Sequence, residues 1–127
     1  MATSPQSVIL SASKLSQRGV DLLAAGEPSG ATQAFSDALA SDPQHIESHH
    51  GLIRALCDAG NFDAAVEAAK ALIALTPQDP LAHTSLSIAL QQAGQIPEAE
   101  SAAGRARILE WKQQLAEPEA KEARPVA

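Results

Sequence analysis

One predicted helix carries the residue types that a nucleophile and its base would need. His50, Arg54 and Cys57 lie in IESHHGLIRALCDAG at spacings of four and three, so they share one helical face. A cysteine nucleophile needs a lowered pKa and a base within hydrogen-bond reach, and the nearby arginine would favour the thiolate. Two helical turns, roughly 10 Å, separate His50 from Cys57, which is too far for a direct hydrogen bond. We therefore predict that Cys57 is a small polarizable side chain in a groove or core, and that the chain is not an enzyme.

The other histidines do not suggest a metal site. His49 and His83 are 34 residues apart and occupy one position of a repeated pattern, so we expect partly buried packing residues. His45 falls in a predicted loop. Because zinc requires four convergent nitrogen or sulfur ligands and no such set is spaced here, we predict no metal and no cofactor.

Composition and charge exclude several classes of partner. The 127 residues suffice for one domain, and the net charge of −6 comes without the basic stripe that a nucleic acid would require. The single cysteine forbids an internal disulfide. The first residues do not resemble a secretory signal, and no apolar run approaches the ~18 residues of a membrane span. We predict a cytoplasmic protein without a nucleic-acid or membrane partner.

Turn and cap residues divide the chain into six predicted helices. The first starts at Ser4-Pro5 and is ended by Gly26, with Gly26 to Gly30 as the turn. The later helices end at Asp42-Pro43, Gly60, Thr76-Pro77 and Gly94, in that order. Asn61 and Asp79 are predicted N-caps of the fourth and fifth helices. Pro80 begins the fifth helix and Ile96-Pro97 begins the sixth. No proline stands at the next expected stop, which is Trp111. We therefore predict a last helix that runs to about Leu115, followed by a disordered tail over 116–127.

The same residues recur every 34 positions. The triplets in register are Leu22, Leu56 and Leu90; Gly26, Gly60 and Gly94; Ala31, Ala65 and Ala99; and Ala34, Ala68 and Ala102. A fixed period of this length predicts a stacked array of helical repeats.

These residues resemble the tetratricopeptide repeat (TPR). The first unit carries Gly19, Leu22, Gly26, Ala31, Phe35, Ala38 and Pro43 at the signature positions. The second keeps Leu56, Gly60, Ala65 and Pro77 but has Ile53, Ala69 and Leu72 where the family prefers small, large and small residues. The third keeps Leu86, Leu90, Gly94, Ala99 and Ala106, with Ser87 at the small site.

The resemblance implies an all-α fold, a right-handed α-solenoid of three antiparallel helix-turn-helix units with an extended last helix. The expected divisions are an N-terminal helical lead-in over 1–11, repeats over 12–45, 46–79 and 80–115, and the tail over 116–127. In such arrays the first helix of each unit lines a concave groove. That selects as partner-binding residues Ser13, Ser16, Val20, Leu23, Ala24, Glu47, His50, Arg54, Cys57, Asp58, Leu81, Thr84, Ile88, Gln91 and Gln92.

One mechanism of the family is not supported. The carboxylate clamp that holds the acidic tails of heat-shock chaperones needs lysine, arginine and asparagine at five groove positions. Here those positions hold Ser16, Val20, Gly51, Leu81 and Ser85. We therefore do not expect a chaperone tail as the partner.

The end of the array leaves an alternative open. Repeat arrays commonly end in an extra helix with a polar outer face, and no segment after Leu115 resembles one. The last helix either caps the array itself or pairs with a second chain through Ile108, Leu109, Trp111 and Leu115. We predict an adaptor or scaffold that binds a partner peptide or segment in the groove. The alternative is a structural module that self-associates through the last helix.

Overall fold

The structure is a computed structural model that describes residues 5–116. This part of the chain forms six helices. They are α1 (Pro5–Ala24), α2 (Pro28–Ser41), α3 (Ile46–Asp58), α4 (Phe62–Leu75), α5 (Pro80–Gln92) and α6 (Ile96–Ala116), and this range contains no strand. Each helix packs against the next in the chain, and α3 also contacts α1 and α5. The odd-numbered helices therefore lie side by side, as in a helical solenoid, and the all-α prediction is confirmed.

The recurring leucine and glycine close the three turns inside the units. Gly26, Gly60 and Gly94 have φ of 75°, 81° and 83°, where residues with a Cβ are strained. The amide after each glycine donates to the carbonyl of Leu22, Leu56 or Leu90, at 2.9, 2.8 and 2.9 Å. This bond is the helix ending that a left-handed glycine permits. The first turn is shorter than predicted, because Pro28 begins α2 and Gly30 lies inside that helix.

Of the predicted caps Asn61 and Asp79, only Asp79 forms a side-chain cap hydrogen bond. The Asp79 carboxylate accepts a hydrogen bond from the Leu81 amide at 3.0 Å, and Pro80 follows it as the first residue of α5. Asn61 stands at the start of α4, but its side chain makes no cap bond, so that prediction was wrong in its mechanism. The Ser4 cap lies outside the described residues, as do residues 117–127 of the predicted tail. Ala116, assigned to that tail, is the last residue of α6.

Phe35 fills the core of the first unit. Its side chain is fully buried with Ala31 and Ala55. A Cβ added at Gly19 of α1 or Gly51 of α3 would lie 2.6 or 2.3 Å from the ring. Both glycines are therefore required by the space that the ring occupies between α1 and α3.

The second unit reaches the same packing with the large residue in another place. Where the first unit has Gly19, Phe35 and Ala38, the second has Ile53, Ala69 and Leu72, all buried in one cluster with Ala82. Leu72 and Ile53 supply the volume that a phenylalanine provides in the first unit. The side-chain volume that is missing at Ala69 is therefore supplied by Ile53 and Leu72.

Two buried histidines hold the connections between units. The Nε2–H of His49 donates to the Pro43 carbonyl at 2.8 Å, and that of His83 to the Pro77 carbonyl at 2.9 Å. A carbonyl only accepts, so Nε2 carries the proton in both rings. They are more buried than predicted, at 8% and 4% exposed, because each ring satisfies the carbonyl of the proline that ends the preceding helix.

The last described unit presents a polar end face. Val66 and Ile73 of α4 pack towards α5 in the core clusters. The residues 34 positions later on α6, Glu100 and Arg107, are exposed. The face that a further unit would cover is therefore polar, and self-capping by α6 stays a prediction. The repeat boundaries at 12, 46 and 80 stay a prediction.

Candidate binding groove

A hollow of about 400 Å³ opens between α3 and α5, in the middle of the predicted groove. It is lined by His50, Ile53, Arg54, Cys57 and Asp58 of α3 and by Ser85, Ile88 and Gln92 of α5. Four of these were predicted from α3 and two, Ile88 and Gln92, from α5. The structure therefore brings the polar centre and one apolar end of the predicted site together.

The polar centre is held by weak, solvent-exposed contacts. The Arg54 Nε–H donates to both carboxylate oxygens of Asp58 at 3.2 Å, and the two side chains are 72% and 42% exposed. An exposed pair at this spacing contributes at most about 0.5 kcal/mol. His50 Nδ1 lies 3.5 Å from the Ser85 hydroxyl of α5. Both contacts can therefore be exchanged for contacts with a ligand at little cost.

Cys57 is not an activated thiol. Burial raises the pKa of the Cys57 thiol, the Asp58 carboxylate acts in the same direction, and Arg54 opposes them only in part. A raised pKa leaves less thiolate at neutral pH, the reverse of what a nucleophile needs. The sequence-based expectation that Arg54 favours the thiolate was incomplete, because it omitted Asp58 and burial.

The apolar ends of the groove are exposed. Val20 is 49% exposed on α1, and Leu81 and Ile88 are 62% and 49% exposed on α5. Leu23 and Thr84 are half-buried, while Glu47 and Gln91 are exposed. Ser16 is only 5% exposed, so it offers little surface to a ligand.

Ile9 was not among the predicted groove residues. It is 51% exposed on α1 and shares the helical face of Ser16 and Val20, at spacings of seven and eleven. The signal was present, since the apolar face of α1 continues one turn before Ser13. It was overlooked because residues 1–11 were assigned to a lead-in rather than to the groove.

The structure also explains why the chaperone-tail clamp is absent. At Gly51, one of the five clamp positions, the Phe35 ring occupies the space of a side chain. A clamp residue there would require a smaller residue at position 35.

The predicted self-association residues divide into two groups. Ile108, Trp111 and Leu115 of α6 are 54%, 62% and 59% exposed. Leu109 is 8% exposed and belongs to the packed side of the helix, so it is not available to a second chain.

Two further properties concern residues 5–116. No helix in this range has both the length and the hydrophobicity required to cross a membrane. In the same range no three His, Cys, Asp or Glu side chains converge as metal ligands would.

Paired helices joined by glycine turns and repeated every 34 residues define a helical-repeat protein. A family model described as "Tetratricopeptide repeat" matches residues 22–88. Because this match covers more than half of the 127 residues, the chain belongs to the tetratricopeptide repeat family.

Comparison with solved structures gives the same fold. MamA matches with a TM-score of 0.75 and 24% identity over 81% of this chain and 60% of MamA, so the chain spans about three fifths of that structure. The type III secretion chaperone SycD of Yersinia enterocolitica, in complex with a peptide of the translocator YopD, matches with a TM-score of 0.72 and 22% identity over 87% of this chain and 81% of SycD.

A chain of the CopN–Scc3 complex matches with a TM-score of 0.72 and 18% identity, over 84% of this chain and 60% of that one. At these identities the likeness establishes the fold. No curated protein sequence matches significantly.

Proposed function

We propose that this chain is a protein-interaction module that binds a segment of a partner protein across the groove formed by α1, α3 and α5. One observation carries the proposal. Val20, Arg54 and Ile88 occupy the same position of successive units, 34 residues apart, and all three are exposed. A partner that crosses the three helices would meet an apolar side chain, a cation and a second apolar side chain in that order.

The dimensions suit a short segment. Packed helices lie about 8–10 Å apart, so the three residues span roughly 20 Å. An extended chain covers that distance in about six residues and a helix in about 13. The partner segment we propose has apolar residues towards both ends of such a span, because these would cover Val20 and Ile88, which now face solvent.

The centre of the groove would then select the partner's polar residues. The Arg54 guanidinium and Asp58 carboxylate satisfy each other only through an exposed contact. A carboxylate or a cation in the partner could replace either member of this pair. Such a centre supplies orientation and specificity, while the apolar ends supply most of the affinity.

Binding fits the site better than catalysis does. Burial and Asp58 raise the pKa of the Cys57 thiol, which lowers its thiolate fraction at neutral pH. The complex of SycD with a YopD peptide supports a protein partner, since it shows that this fold can hold a peptide. The cytoplasm remains the predicted compartment.

Selection from a library of displayed random 12-residue peptides tests the proposal. Peptides enriched on the wild-type protein are synthesised and titrated against a double variant, Arg54→Glu with Ile88→Glu, by isothermal calorimetry. We expect at least a tenfold loss of affinity, because the variant removes the cation and one apolar contact.

The matched control carries the same two changes outside the groove. In Arg18→Glu with Ile96→Glu, both replaced residues are exposed and neither lines the hollow between α3 and α5. The control should bind like the wild type. Equal binding by all three folded proteins would contradict the proposal.

A further inference from the structure

The second half of α6 carries an apolar row that the groove does not explain. Ile108, Trp111 and Leu115 expose 54%, 62% and 59% of their surfaces, and Gly104 precedes them on the same face. We call these four residues the α6 stripe. Large apolar side chains exposed together on a protein surface mark an interaction site more often than isolated ones do.

The other units serve as an internal control. The positions 34 and 68 residues before Ile108 hold Ala74 and Ala40, and those before Gly104 hold Lys70 and Ser36. All four of these residues are exposed. The fold therefore exposes these positions in the first two units as well, and only α6 carries a large apolar side chain at one of them, Ile108.

The spacing of the stripe fits a helical partner. Its members are separated by four, three and four residues, which is the heptad spacing of a helix that packs along another helix. A Cβ at Gly104 would meet only the Arg107 guanidinium, at 3.8 Å, so a partner side chain could approach the backbone there.

A hollow and one hydrogen bond lie between the second half of α6 and the α4–α5 connection. The hollow, of about 550 Å³, adjoins the α6 stripe, with Pro77, Ile108 and Lys112 in its lining. The Gln113 amide donates to the Gln78 carbonyl at 3.4 Å, which ties the extended helix to the α4–α5 connection.

Charge identifies the partner's chemistry. Arg105, Arg107 and Lys112 flank the stripe, and none of them forms an ion pair with another residue of the described range. In heptad packing the flanking charges decide which helix is accepted. A second copy of this chain would bring cations against cations. We propose that the α6 stripe docks an amphipathic helix of another protein, with apolar residues at heptad spacing flanked by Glu or Asp.

Trp111 is the chain's only tryptophan, and the chain has no tyrosine, so it reports directly on the stripe. The probes are two synthetic 21-residue helical peptides with the same leucine heptads, one with Glu at the flanking positions and one with Lys. We expect the Glu peptide to shift Trp111 emission to the blue in a saturable titration. The Lys peptide should bind at least tenfold more weakly, and raising the salt should reduce the difference.

Two variants distinguish binding at the α6 stripe from nonspecific hydrophobic binding elsewhere on the protein. Ile108→Glu should weaken binding of the Glu peptide at least tenfold, whereas Ile96→Glu, on the same helix and 46% exposed, should stay within twofold of wild type. Ile88→Glu, in the groove, should also leave this binding unchanged, so the two binding proposals can fail separately.

Three results would overturn the proposal. One is that neither peptide binds, and another is that both bind equally. The third is a dimer of the free protein in sedimentation equilibrium that Ile108→Glu dissociates, since the occupant would then be a second copy.

Discussion

At the scale of single residues, the packing of this chain is decided by where one large side chain stands. The Phe35 ring lies between Gly19 and Gly51, and no Cβ fits at either position. In the next unit Ala69 replaces the phenylalanine, and Ile53 and Leu72 supply the volume. Whether a glycine is required therefore depends on the neighbouring unit, which the 34-residue pattern alone does not reveal.

Gly51→Ala should lower the free energy of unfolding by about 1–2 kcal/mol, because overpacking outweighs the gain in helix propensity. Gly104→Ala is the matched control: it also lies inside a helix, but its Cβ would meet only the end of the Arg107 side chain at an ordinary contact distance, and it should gain up to about 1 kcal/mol. Urea denaturation measures both. Equal effects of the two changes would contradict the role given to Phe35.

The two buried histidines should matter for stability rather than for chemistry. His49→Ala and His83→Ala each remove a buried ring and its bond to a proline carbonyl, and each should cost about 2 kcal/mol. His50→Ala, in the half-buried groove, should cost well under half as much. Thermal unfolding monitored by circular dichroism gives the comparison. A larger loss from His50→Ala would show that these contacts are not what holds the connections.

Cys57 should react slowly with iodoacetamide near neutral pH, severalfold below a cysteine in an unstructured peptide. The reason is that burial and Asp58 raise the pKa of the thiol, so its thiolate fraction at that pH is smaller. Asp58→Asn should speed the reaction and Arg54→Gln should slow it. A wild-type rate above that of the peptide would reopen the nucleophile hypothesis.

At the scale of elements, the ends of helices were predicted correctly where the local backbone conformation determines them. The glycine ends of α1, α3 and α5, the proline stops and the extended α6 follow from local chemistry, whereas the start of α2 at Pro28 was placed too late. The predictions were less accurate where they depended on which hydrogen bond a side chain makes. Asn61 is the example, because it stands at the N-cap of α4 and its side chain makes no cap hydrogen bond. The extent of burial of His49 and His83 was also not predicted, since that depends on carbonyls six residues away.

The two cap positions make a direct test. Asp79→Ala should lower the free energy of unfolding by about 1 kcal/mol, because the Leu81 amide loses its acceptor. Asn61→Ala should change it by a few tenths of a kcal/mol at most. Denaturant titration of both variants checks the difference, and a costly Asn61→Ala would mean that its side chain does cap α4 in solution.

At the scale of the whole molecule, the repeat period predicted the fold, whereas the face that binds a partner stays a prediction. The period did not predict which groove residues are accessible: Ser16 is buried, whereas Val20 is exposed. Nor did it distinguish the exposed Ile108, Trp111 and Leu115 from the buried Leu109. Accessibility depends on how neighbouring helices cover one another, which a repeat signature specifies only on average.

The molecule thus presents two surfaces of different character. The groove of α1, α3 and α5 is apolar at its ends and polar in its centre, whereas the α6 stripe is apolar with cationic flanks. We expect different partners, or different parts of one partner, for the two surfaces. A scaffold that joins two proteins would need this arrangement.

The most direct test of the groove is an amide chemical-shift map of the ¹⁵N-labelled protein, titrated with a peptide obtained from the selection on the wild type. We expect the large shifts to cluster on the exposed faces of α1, α3 and α5, around Val20, Arg54 and Ile88. The amides of Ile108 to Leu115 should change little. Shifts confined to α6, with the groove unperturbed, would contradict the central claim.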